Sequence, residues 1–208
     1  MSALVIRNLL WVAGAYLLGA TPTSYLVARV FRGVDLREFG SKNLGATNLY
    51  RLVGWKGAVP VALYDIAKWT VPVLLAVRLH PVPAWFPLFI GLSAVLGHVF
   101  SPFVRFKGGK GVATAAGVFV ALAPLCVLVA LAVWGIVLKL TGYVSLGSMI
   151  AAVAFAASAP LLYPGSRATF YAALVTAVFI IFTHRANLLR LVAGTENRFG
   201  RKRVETVP

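Results

Sequence analysis

The chain has 208 residues, of which 60% are hydrophobic and only 12% are charged, and its net charge is +15. Because about a quarter of the residues in a soluble domain are charged, this composition excludes an ordinary soluble domain and predicts an integral membrane protein. The length fits one integral domain, residues 1–208. The basic residues crowd into loops, which indicates membrane orientation or an anionic ligand and not a nucleic-acid partner.

Long apolar runs predict the membrane spans, since about 20 apolar residues cross the hydrocarbon core. In chain order the runs cover residues 9–31, 58–79, 84–104, 112–140, 143–163 and 167–182, with a turn at 80–83. The first run continues through Pro22, too long for the apolar region of a cleaved signal peptide. The fourth run is too long for one ordinary span and short for two, so we expect Pro124 to separate a short helix from the next one.

The fold class that follows is an all-α integral membrane protein, because lipid offers no partners for backbone polar groups. We expect a polytopic helical bundle of about seven transmembrane segments, at least one of them short. Three polar segments, residues 39–51, 98–111 and 183–198, share one membrane face if Pro124 separates two helices. Most basic residues then lie on that face, which predicts that it is cytoplasmic, with the N-terminus outside and the C-terminus inside.

The second polar segment contains a glycine-rich loop, FKGGKGVAT. Gly108 and Gly109 let backbone N–H groups turn inward, Lys107 and Lys110 add positive charge, and a helix starts directly afterwards. This is not a Walker A loop, because Gly111 stands where Ser or Thr is needed. The alternative is a basic turn that only follows the positive-inside rule. The pattern favours phosphate binding.

The first polar segment reads FGSKNLGATNLYR. Ser41, Asn43, Thr47 and Asn48 supply hydroxyl and amide groups, and Arg51 can bind phosphate through its planar guanidinium. A turn that caps the next helix is the commoner explanation of such a segment, and taken alone the segment favours it.

The last polar segment reads THRANLLRLVAGTENR. His184 and Asn187 stand at i and i+3 and therefore share a helix face, which Arg190 continues. Gly194 is expected to end this helix, with Glu196 beyond it. A lone His at a membrane edge is more often an interfacial residue, but beside Asn187 it is a candidate acid, base or orienting group.

Several other polar residues lie within the predicted spans. Asp65 and Lys68 form either a structural ion pair or part of the site, and we weigh the two equally. His98 lines a pocket or packs in its span, and Ser145 begins a span on the face of the polar segments. Cys126 is the only cysteine, and no HExxH motif or acidic cluster indicates a metal. Neither a GxSxG elbow nor a HxxxxD pair is present.

Taken together, three stretches resemble the motifs of the bacterial acyl-phosphate:glycerol-3-phosphate acyltransferases of the PlsY type. They are GSKNLGATNLYR, GHVFSPFVRFKGGKGVAT and THRANLLRLVAGTENR, they occur in the family's order, and the resemblance covers residues 10–198. The chain departs from the family pattern at two positions. Lys42 stands where many members have Gly, and Trp69 follows Lys68 where Gly is usual.

The resemblance implies a reaction in which an acyl group passes from acyl phosphate to the 1-hydroxyl of glycerol 3-phosphate, giving lysophosphatidic acid and phosphate. It implies a multi-pass enzyme of the bacterial plasma (inner) membrane that acts at the cytoplasmic face without a cofactor, acyl-CoA or acyl-carrier protein. Its partners are then the two substrates, the lipid bilayer and, by a functional link, an enzyme that produces acyl phosphate.

The same resemblance gives each candidate residue a role in direct acyl transfer. The proposed catalytic residues are Ser41, His184 and Asn187. The proposed substrate-binding residues are Asn43, Thr47, Asn48, Arg51, Lys107, Gly108, Gly109, Lys110, Ser145 and Glu196. Either His184 or a phosphate oxygen of a substrate takes the hydroxyl proton.

Two other functions remain open from the residues alone. A transporter of an organic phosphate would also have glycine-interrupted helices and intramembrane charges, although no internal repeat is visible. A scaffold whose basic loops bind anionic lipid would need only charge, and it leaves the Ser, Asn and His positions unexplained.

Overall fold

The computed structural model describes residues 3–79 and 85–200, and within these ranges it contains helices and no β-strand. The α-helices are α1 (Ala3–Ala20), α2 (Thr23–Arg32), α3 (Ala46–Val53), α4 (Trp55–Leu79), α5 (Phe86–Val99), α6 (Val112–Leu122), α7 (Pro124–Thr141), α8 (Val144–Leu162), α9 (Arg167–Thr183) and α10 (Arg185–Val192). A 3-10 turn covers Pro102–Val104. The all-α class expected from the sequence is confirmed.

Among the described residues, five segments are long and apolar enough to cross a membrane: Leu4–Arg32, Trp55–Arg78, Phe86–Val104, Pro124–Thr141 and Val144–Leu162. The pair α9 and α10, bent by 57°, could supply a sixth, and α6 is a shorter apolar helix. The chain is therefore an integral membrane protein by length and composition. The exact number of crossings and the orientation of the termini stay predictions. The turn expected at 80–83 and the basic tail from residue 201 lie outside the described residues.

One expected boundary was wrong, and the first span contains an unexpected break at a proline. The first span is confirmed as one apolar segment, Leu4–Arg32. It is made of two helices, because Pro22 lacks an N–H group and disfavours helical backbone at the residue before it. The polar loop expected to run through Lys56 is helical in part and ends earlier, since it contains α3, and α4 already begins at Trp55. The break at Pro124 is confirmed, because α6 ends at Leu122 and α7 begins at Pro124.

The chain forms two compact units. The first comprises Met1–Glu38 and Asn43–Leu122, and the second comprises Phe39–Lys42 and Ala123–Pro208. The single domain expected over residues 1–208 stays a prediction, and each unit is described by itself below.

Small residues bring the helices of the first unit close together. A side chain at Gly97 of α5 would collide with the backbone of α1, and Ser93 Oγ donates to the Val12 carbonyl at 2.8 Å. A side chain at Gly117 of α6 would collide with the backbone of α4, and Thr70 Oγ1 donates to the Gly117 carbonyl at 2.8 Å. Such contacts are typical of membrane helices, which pack through small residues and interhelical hydrogen bonds.

A buried ion pair fixes the break between α1 and α2. Lys68 Nζ lies 2.7 Å from Asp65 Oδ1, and both side chains are almost fully buried. Thr23 Oγ1 donates to the same Asp65 oxygen at 3.0 Å, and Lys68 donates to the Thr21 carbonyl at 3.3 Å. Of the two explanations weighed for Asp65 and Lys68, these contacts support the structural one, since removing either partner would leave a buried charge.

The two departures from the family pattern have local structural counterparts. Lys42 has φ +57°, a left-handed conformation that favours glycine. Trp69 is fully buried, and a side chain at Gly19 of α1 would approach its ring and the Ala94 carbonyl. The missing side chain at Gly19 therefore leaves room for the bulky Trp69.

The second unit consists of a helical layer in which α8 packs against both α7 and α9. The buried face of α8 is made mostly of small residues, namely Ser145, Gly147, Ser148, Ala151, Ala152, Ala156, Ser158 and Ala159. This face allows close packing on both neighbours. It also places Ser145, the second residue of α8, at the end of the unit that contains α10.

Candidate active site

In the first unit, the glycine-rich loop folds back onto the end of α5. Gly108 N–H donates to the Val99 carbonyl at 3.0 Å, and Gly109 N–H donates to the His98 carbonyl at 3.1 Å. The loop is anchored on α1 as well, because the buried Ser101 hydroxyl donates to the Ala20 carbonyl. The N–H groups expected to turn toward phosphate at these two glycines therefore already bond to protein carbonyls.

Gly108 and Gly109 are required for this close approach. A Cβ at Gly108 would collide with the carbonyl oxygens of His98 and Val99, and one at Gly109 would collide with the His98 ring. His98 is buried, and its ring packs on Gly109. The contacts thus show both glycines shaping the loop, while their contact with a substrate stays a prediction.

Gly108→Ala is expected to destabilise the protein by about 1–3 kcal/mol, because the added methyl group would force two backbone segments apart. Gly135→Ala is the matched control, since a Cβ at Gly135 meets nothing within 4 Å. That control is expected to be neutral or slightly stabilising. Thermal unfolding of the purified proteins in detergent measures both. Equal unfolding temperatures for Gly108→Ala and the wild type would contradict the packing role.

The loop still offers positive charge to an anion. Lys107 is exposed, Lys110 is half-buried, and α6 begins at Val112 immediately after the loop. The first N–H groups of a helix have no intrahelical partner, and the helix dipole favours an anion at that end. Thr114 adds a fully buried hydroxyl for which the described part of the chain supplies no hydrogen-bond partner. The lysines and the start of α6 are thus the groups that can attract phosphate here.

The first polar segment positions Arg51. Asn48 is buried, donates from Nδ2 to the Leu36 carbonyl at 3.2 Å, and accepts at Oδ1 from Arg51 Nη1 at 3.4 Å. Asn48 therefore fixes the start of α3 and orients the guanidinium one turn later. Asn43 and Thr47 are half-buried in the same segment. Ser41 is half-buried and belongs with Phe39–Lys42 to the second unit.

In the second unit, three polar side chains converge on the carboxylate of Glu196. Ser145 Oγ donates to Oε1 at 2.9 Å, and Asn187 Nδ2 donates to the same oxygen at 2.7 Å. Arg190 Nε donates to Oε2 at 2.7 Å and forms an ion pair with it. The carboxylate thereby joins the start of α8, the helix α10 and the segment that follows α10.

The environment of Glu196 keeps it ionised. Burial by itself would raise its pKa, but the hydrogen bonds from Asn187, Arg190 and Ser145 outweigh burial and lower the pKa below its ordinary value of 4.5. A carboxylate that already accepts three hydrogen bonds is a poor group for binding a phosphate, because both are negative. These contacts support a positioning role for Glu196, and its assignment to substrate binding stays a prediction.

His184 lies at the bend between α9 and α10 and is buried. Its Nδ1 lies 2.8 Å from the Ile180 carbonyl, which can only accept a hydrogen bond. Nδ1 therefore carries a proton, and Nε2 is the lone-pair nitrogen of the neutral ring. The His184 carbonyl accepts from Asn187 N–H at 2.8 Å, so the turn that holds His184 also places Asn187.

The predicted site residues thus fall into two groups. The first unit contains Asn43, Thr47, Asn48, Arg51, Lys107, Gly108, Gly109 and Lys110, and the second contains Ser41, Ser145, His184, Asn187 and Glu196. Direct hydrogen bonds join Asn48 to Arg51 in the first group and join Ser145 and Asn187 to Glu196 in the second. Among the described residues, no group of three His, Cys, Asp or Glu could hold a metal ion.

Two residues of the second unit, Arg190 and Arg198, were missing from the predicted site. Arg190 binds Glu196, although the sequence indicated only that it continues the face of His184 and Asn187. Arg198 donates from Nε to Tyr143 Oη at 3.1 Å and stacks on that ring, which holds the segment beyond Glu196 against the start of α8. The spacing of Arg190 was a usable signal, whereas no short-range pattern links Arg198 to Tyr143.

Comparison with known proteins decides the family. The model of the family described as Glycerol-3-phosphate acyltransferase matches residues 9–194 of this chain. The chain belongs to the glycerol-3-phosphate acyltransferase family. Among its relatives, the glycerol-3-phosphate acyltransferase of Trichlorobacter lovleyi is 49% identical over 92% of this chain and 97% of its own length. That of Geobacter sulfurreducens is 46% identical over 94% of this chain and 99% of its own length.

Solved structures show the same fold for this acyltransferase. A crystal structure of PlsY, an integral membrane glycerol 3-phosphate acyltransferase, in its glycerol 3-phosphate form has a TM-score of 0.87 and 40% identity. The lysophosphatidic acid form of PlsY has a TM-score of 0.84 and 39% identity. Each match covers 93% of this chain and 96% of the other chain. The resemblance to the PlsY type and the prediction of an acyltransferase are confirmed.

Proposed function

We propose that this acyltransferase transfers a fatty acyl group from acyl phosphate to the 1-hydroxyl of glycerol 3-phosphate. The observation that carries the proposal is the fold shared with PlsY, whose structures are a glycerol 3-phosphate form and a lysophosphatidic acid form. Lysophosphatidic acid is glycerol 3-phosphate with one added acyl group, so the two forms correspond to an acceptor and its product. Acyl phosphate as the donor rests on the motif resemblance and on the cationic groups described above.

In this reaction the acceptor hydroxyl oxygen attacks the acyl carbonyl carbon and forms the ester bond. The bond between that carbon and the phosphate oxygen breaks, and inorganic phosphate leaves with the bonding electron pair. The hydroxyl proton passes to a base. Because phosphate is already a good leaving group, direct transfer requires no covalent acyl-enzyme. The protein has to hold two anionic substrates together and to stabilise the developing oxyanion.

The cationic groups of the first unit suit the phosphates. Lys107 and Lys110 act as point charges beside the start of α6, and Arg51 offers a planar guanidinium oriented by Asn48. The first polar segment adds the hydroxyl and amide groups of Asn43 and Thr47. These groups would lower the repulsion between donor and acceptor and bring both to the reacting geometry.

The second unit suits the acceptor. Asn187 and Arg190 are held by Glu196, so their positions are set before a substrate binds. A guanidinium has five N–H donors, and the bond to Glu196 uses the one on Nε. Arg190 can therefore pair with the phosphate of glycerol 3-phosphate while Asn187 and His184 orient its hydroxyl. Ser41 is the candidate donor to the developing oxyanion.

The proposed setting is the cytoplasmic face of the bacterial plasma (inner) membrane. An enzyme that forms acyl phosphate, a mixed anhydride of a fatty acid and phosphate, must supply the donor. Lysophosphatidic acid retains an acyl chain and therefore remains in the bilayer for the next acylation. The positive-inside distribution of Lys and Arg supports this orientation.

The experiment that tests the proposal is acyl transfer by the purified protein, given glycerol 3-phosphate with either palmitoyl phosphate or palmitoyl-CoA. Lysophosphatidic acid is expected from palmitoyl phosphate alone. Lys107→Ala is expected to lower kcat/KM about 100-fold, because a positive charge that stabilises the transition state is lost.

Lys139→Ala is the matched control, because this substitution removes the same positive charge from an exposed lysine in the last turn of α7. Its activity is expected to equal that of the wild type. Product from palmitoyl-CoA would show that the donor is assigned wrongly. If neither donor gives product while proteoliposomes transport an organic phosphate, the protein is a transporter and not an acyltransferase of this type.

A further inference from the structure

An open groove of about 560 Å³ lies between α1 and α4 in the first unit. Its lining is apolar apart from one end, and the residues that matter below are Arg7, Leu10, Gly14, Leu18 and Leu75. Its volume falls within the range of ligand sites, about 300–1,000 Å³. Because both helices belong to segments that can cross the membrane, we expect most of the groove to lie at the depth of the hydrocarbon region.

The groove lies away from the glycine-rich loop. Arg7 and Leu18 are separated by about 16 Å along α1, at 1.5 Å per residue. Ala20, which accepts the hydrogen bond from Ser101 of the loop, lies just beyond Leu18. Arg7 therefore lies near the opposite membrane surface from the loop. An occupant must be apolar from Leu18 to Leu10 and polar at Arg7, which describes a lipid with its acyl chain in the groove and its headgroup beside Arg7.

The charge of Arg7 selects an anionic headgroup. Its Nε is shielded from solvent and has no hydrogen-bond partner among the described residues. An unmade hydrogen bond at a buried donor is unfavourable, and a charge within a membrane span normally has a partner. A lipid phosphate supplies an acceptor and the opposite charge. The acyl chain of the donor, entering from the glycine-loop end, would instead bring an apolar methyl group to Arg7.

We propose that this groove binds an anionic phospholipid of the leaflet opposite the glycine-rich loop. The acyl chain lies between α1 and α4, and the phosphate pairs with Arg7. A lipid in the groove contacts both α1 and α4 where these helices do not contact each other. The bound lipid therefore stabilises the first unit. The site is separate from acyl transfer and does not depend on the identity of the acyl donor.

Native mass spectrometry of the purified protein, titrated with phosphatidylglycerol or phosphatidylcholine, tests the proposal. Arg7→Gln is expected to weaken phosphatidylglycerol binding about fivefold, the effect of one basic residue on an anionic lipid. Arg78→Gln is the matched control, because Arg78 lies in the last turn of α4 near the same membrane surface but does not line the groove. Equal losses in the two variants would overturn the proposal, since charge alone would then recruit the lipid.

Gly14→Leu tests the groove independently of charge. Gly14 lines the groove, and a Cβ at this position meets nothing within 4 Å, so a side chain can begin there without a clash. Gly14→Leu is expected to abolish retention of phosphatidylglycerol, whereas Gly135→Leu, at another open glycine in α7, is expected to leave it unchanged. Unaltered lipid retention in Gly14→Leu would overturn the proposal. It would also be overturned if Gly14→Leu lowered turnover of palmitoyl phosphate while phosphatidylglycerol binding persisted, because the groove would then hold the donor chain.

Phosphatidylglycerol is also expected to raise the unfolding temperature of the wild type, because a ligand that binds only the folded state stabilises it. In Arg7→Gln this increase should be smaller than in Arg78→Gln. An equal increase in the two variants would contradict a specific contact between Arg7 and the headgroup. The comparison uses differences between lipid-containing and lipid-free samples, so a general loss of stability in one variant does not affect it.

Discussion

Replacing Glu196 with Gln is expected to lower kcat/KM for acyl transfer about 100-fold, the scale of loss when catalytic groups are misplaced by about 1 Å. The carboxylate accepts hydrogen bonds from Ser145, Asn187 and Arg190 at once, and a neutral amide cannot accept all of them. The amide NH₂ of Gln would face at least one donor, so Asn187 or Arg190 must move. We expect the larger change in KM for glycerol 3-phosphate, because Asn187 and Arg190 are the groups proposed to bind it.

Steady-state kinetics of Glu196→Gln and Glu196→Asp provide the measurement, with Glu38→Gln as the control at an exposed carboxylate. Asp keeps the charge but is one methylene shorter, so an intermediate loss is expected. A loss confined to kcat, with KM unchanged, would contradict the positioning role. Equal activity of Glu196→Gln and the wild type would contradict any role of the cluster in the reaction.

The ionisation of Glu196 predicts how the effect of Glu196→Gln on activity varies with pH. The pKa of Glu196 is lowered in the folded protein, so its stabilising contribution is complete above the ordinary value of 4.5 and is lost as the pH falls through the lowered value. Between about pH 6 and about pH 9 the carboxylate therefore stays ionised. The activity ratio of wild type to Glu196→Gln should be constant over that range.

Most of the helices could be predicted from the sequence because the lipid environment leaves few alternatives. A long apolar run must be helical in a bilayer, and Pro124 falls where one helix cannot continue into the next. The short helix α6 followed from the same reasoning. The break at Pro22 was missed because the apolar run continues on both sides of it, and only the backbone restriction at proline reveals it.

The site residues that are close together along the chain could also be predicted from the sequence. Helical spacing placed His184, Asn187 and Arg190 on one face, and the structure has α10 beginning directly after His184. The contacts of Glu196 were not predictable in the same way. Ser145 lies 51 residues away along the chain, and its contact with Glu196 depends on how α8 and α10 pack. Side-chain spacing carries no information about such a contact.

The glycine-rich loop shows a different limit. Its composition correctly indicated tight backbone geometry, but two different structural requirements each favour glycine. Glycine permits an N–H group to face a phosphate, and it also permits one backbone to lie directly on another. At Gly108 and Gly109 the second requirement is visible, because the Val99 and His98 carbonyls accept from the two N–H groups. The space of a side chain is filled by those carbonyls at Gly108 and by the His98 ring at Gly109. Only the position of α5 distinguishes the two.

His184→Ala is expected to lower kcat by about 10²–10⁴-fold, the usual contribution of general base catalysis. The hydrogen bond from Nδ1 to the Ile180 carbonyl fixes the tautomer, so that Nε2 is the nitrogen able to accept a proton. The measurement is kcat at saturating palmitoyl phosphate and glycerol 3-phosphate, with the unfolding temperature as a check on folding. A loss of only about tenfold would fit a missing hydrogen bond and would assign the base to a substrate phosphate.

Imidazole in the assay separates these two mechanisms further. His184 is buried, with 3% of its surface exposed, so His184→Ala leaves a cavity shaped for an imidazole ring. If His184 is the base, added imidazole should restore part of the turnover in His184→Ala but not in His184→Gln, where the longer side chain fills the cavity. If a substrate phosphate is the base, imidazole should restore neither variant. Replacing glycerol 3-phosphate by its phosphonate analogue, whose acidity differs, should then shift the acid limb of the pH–rate profile, whereas a His184 base leaves that limb in place.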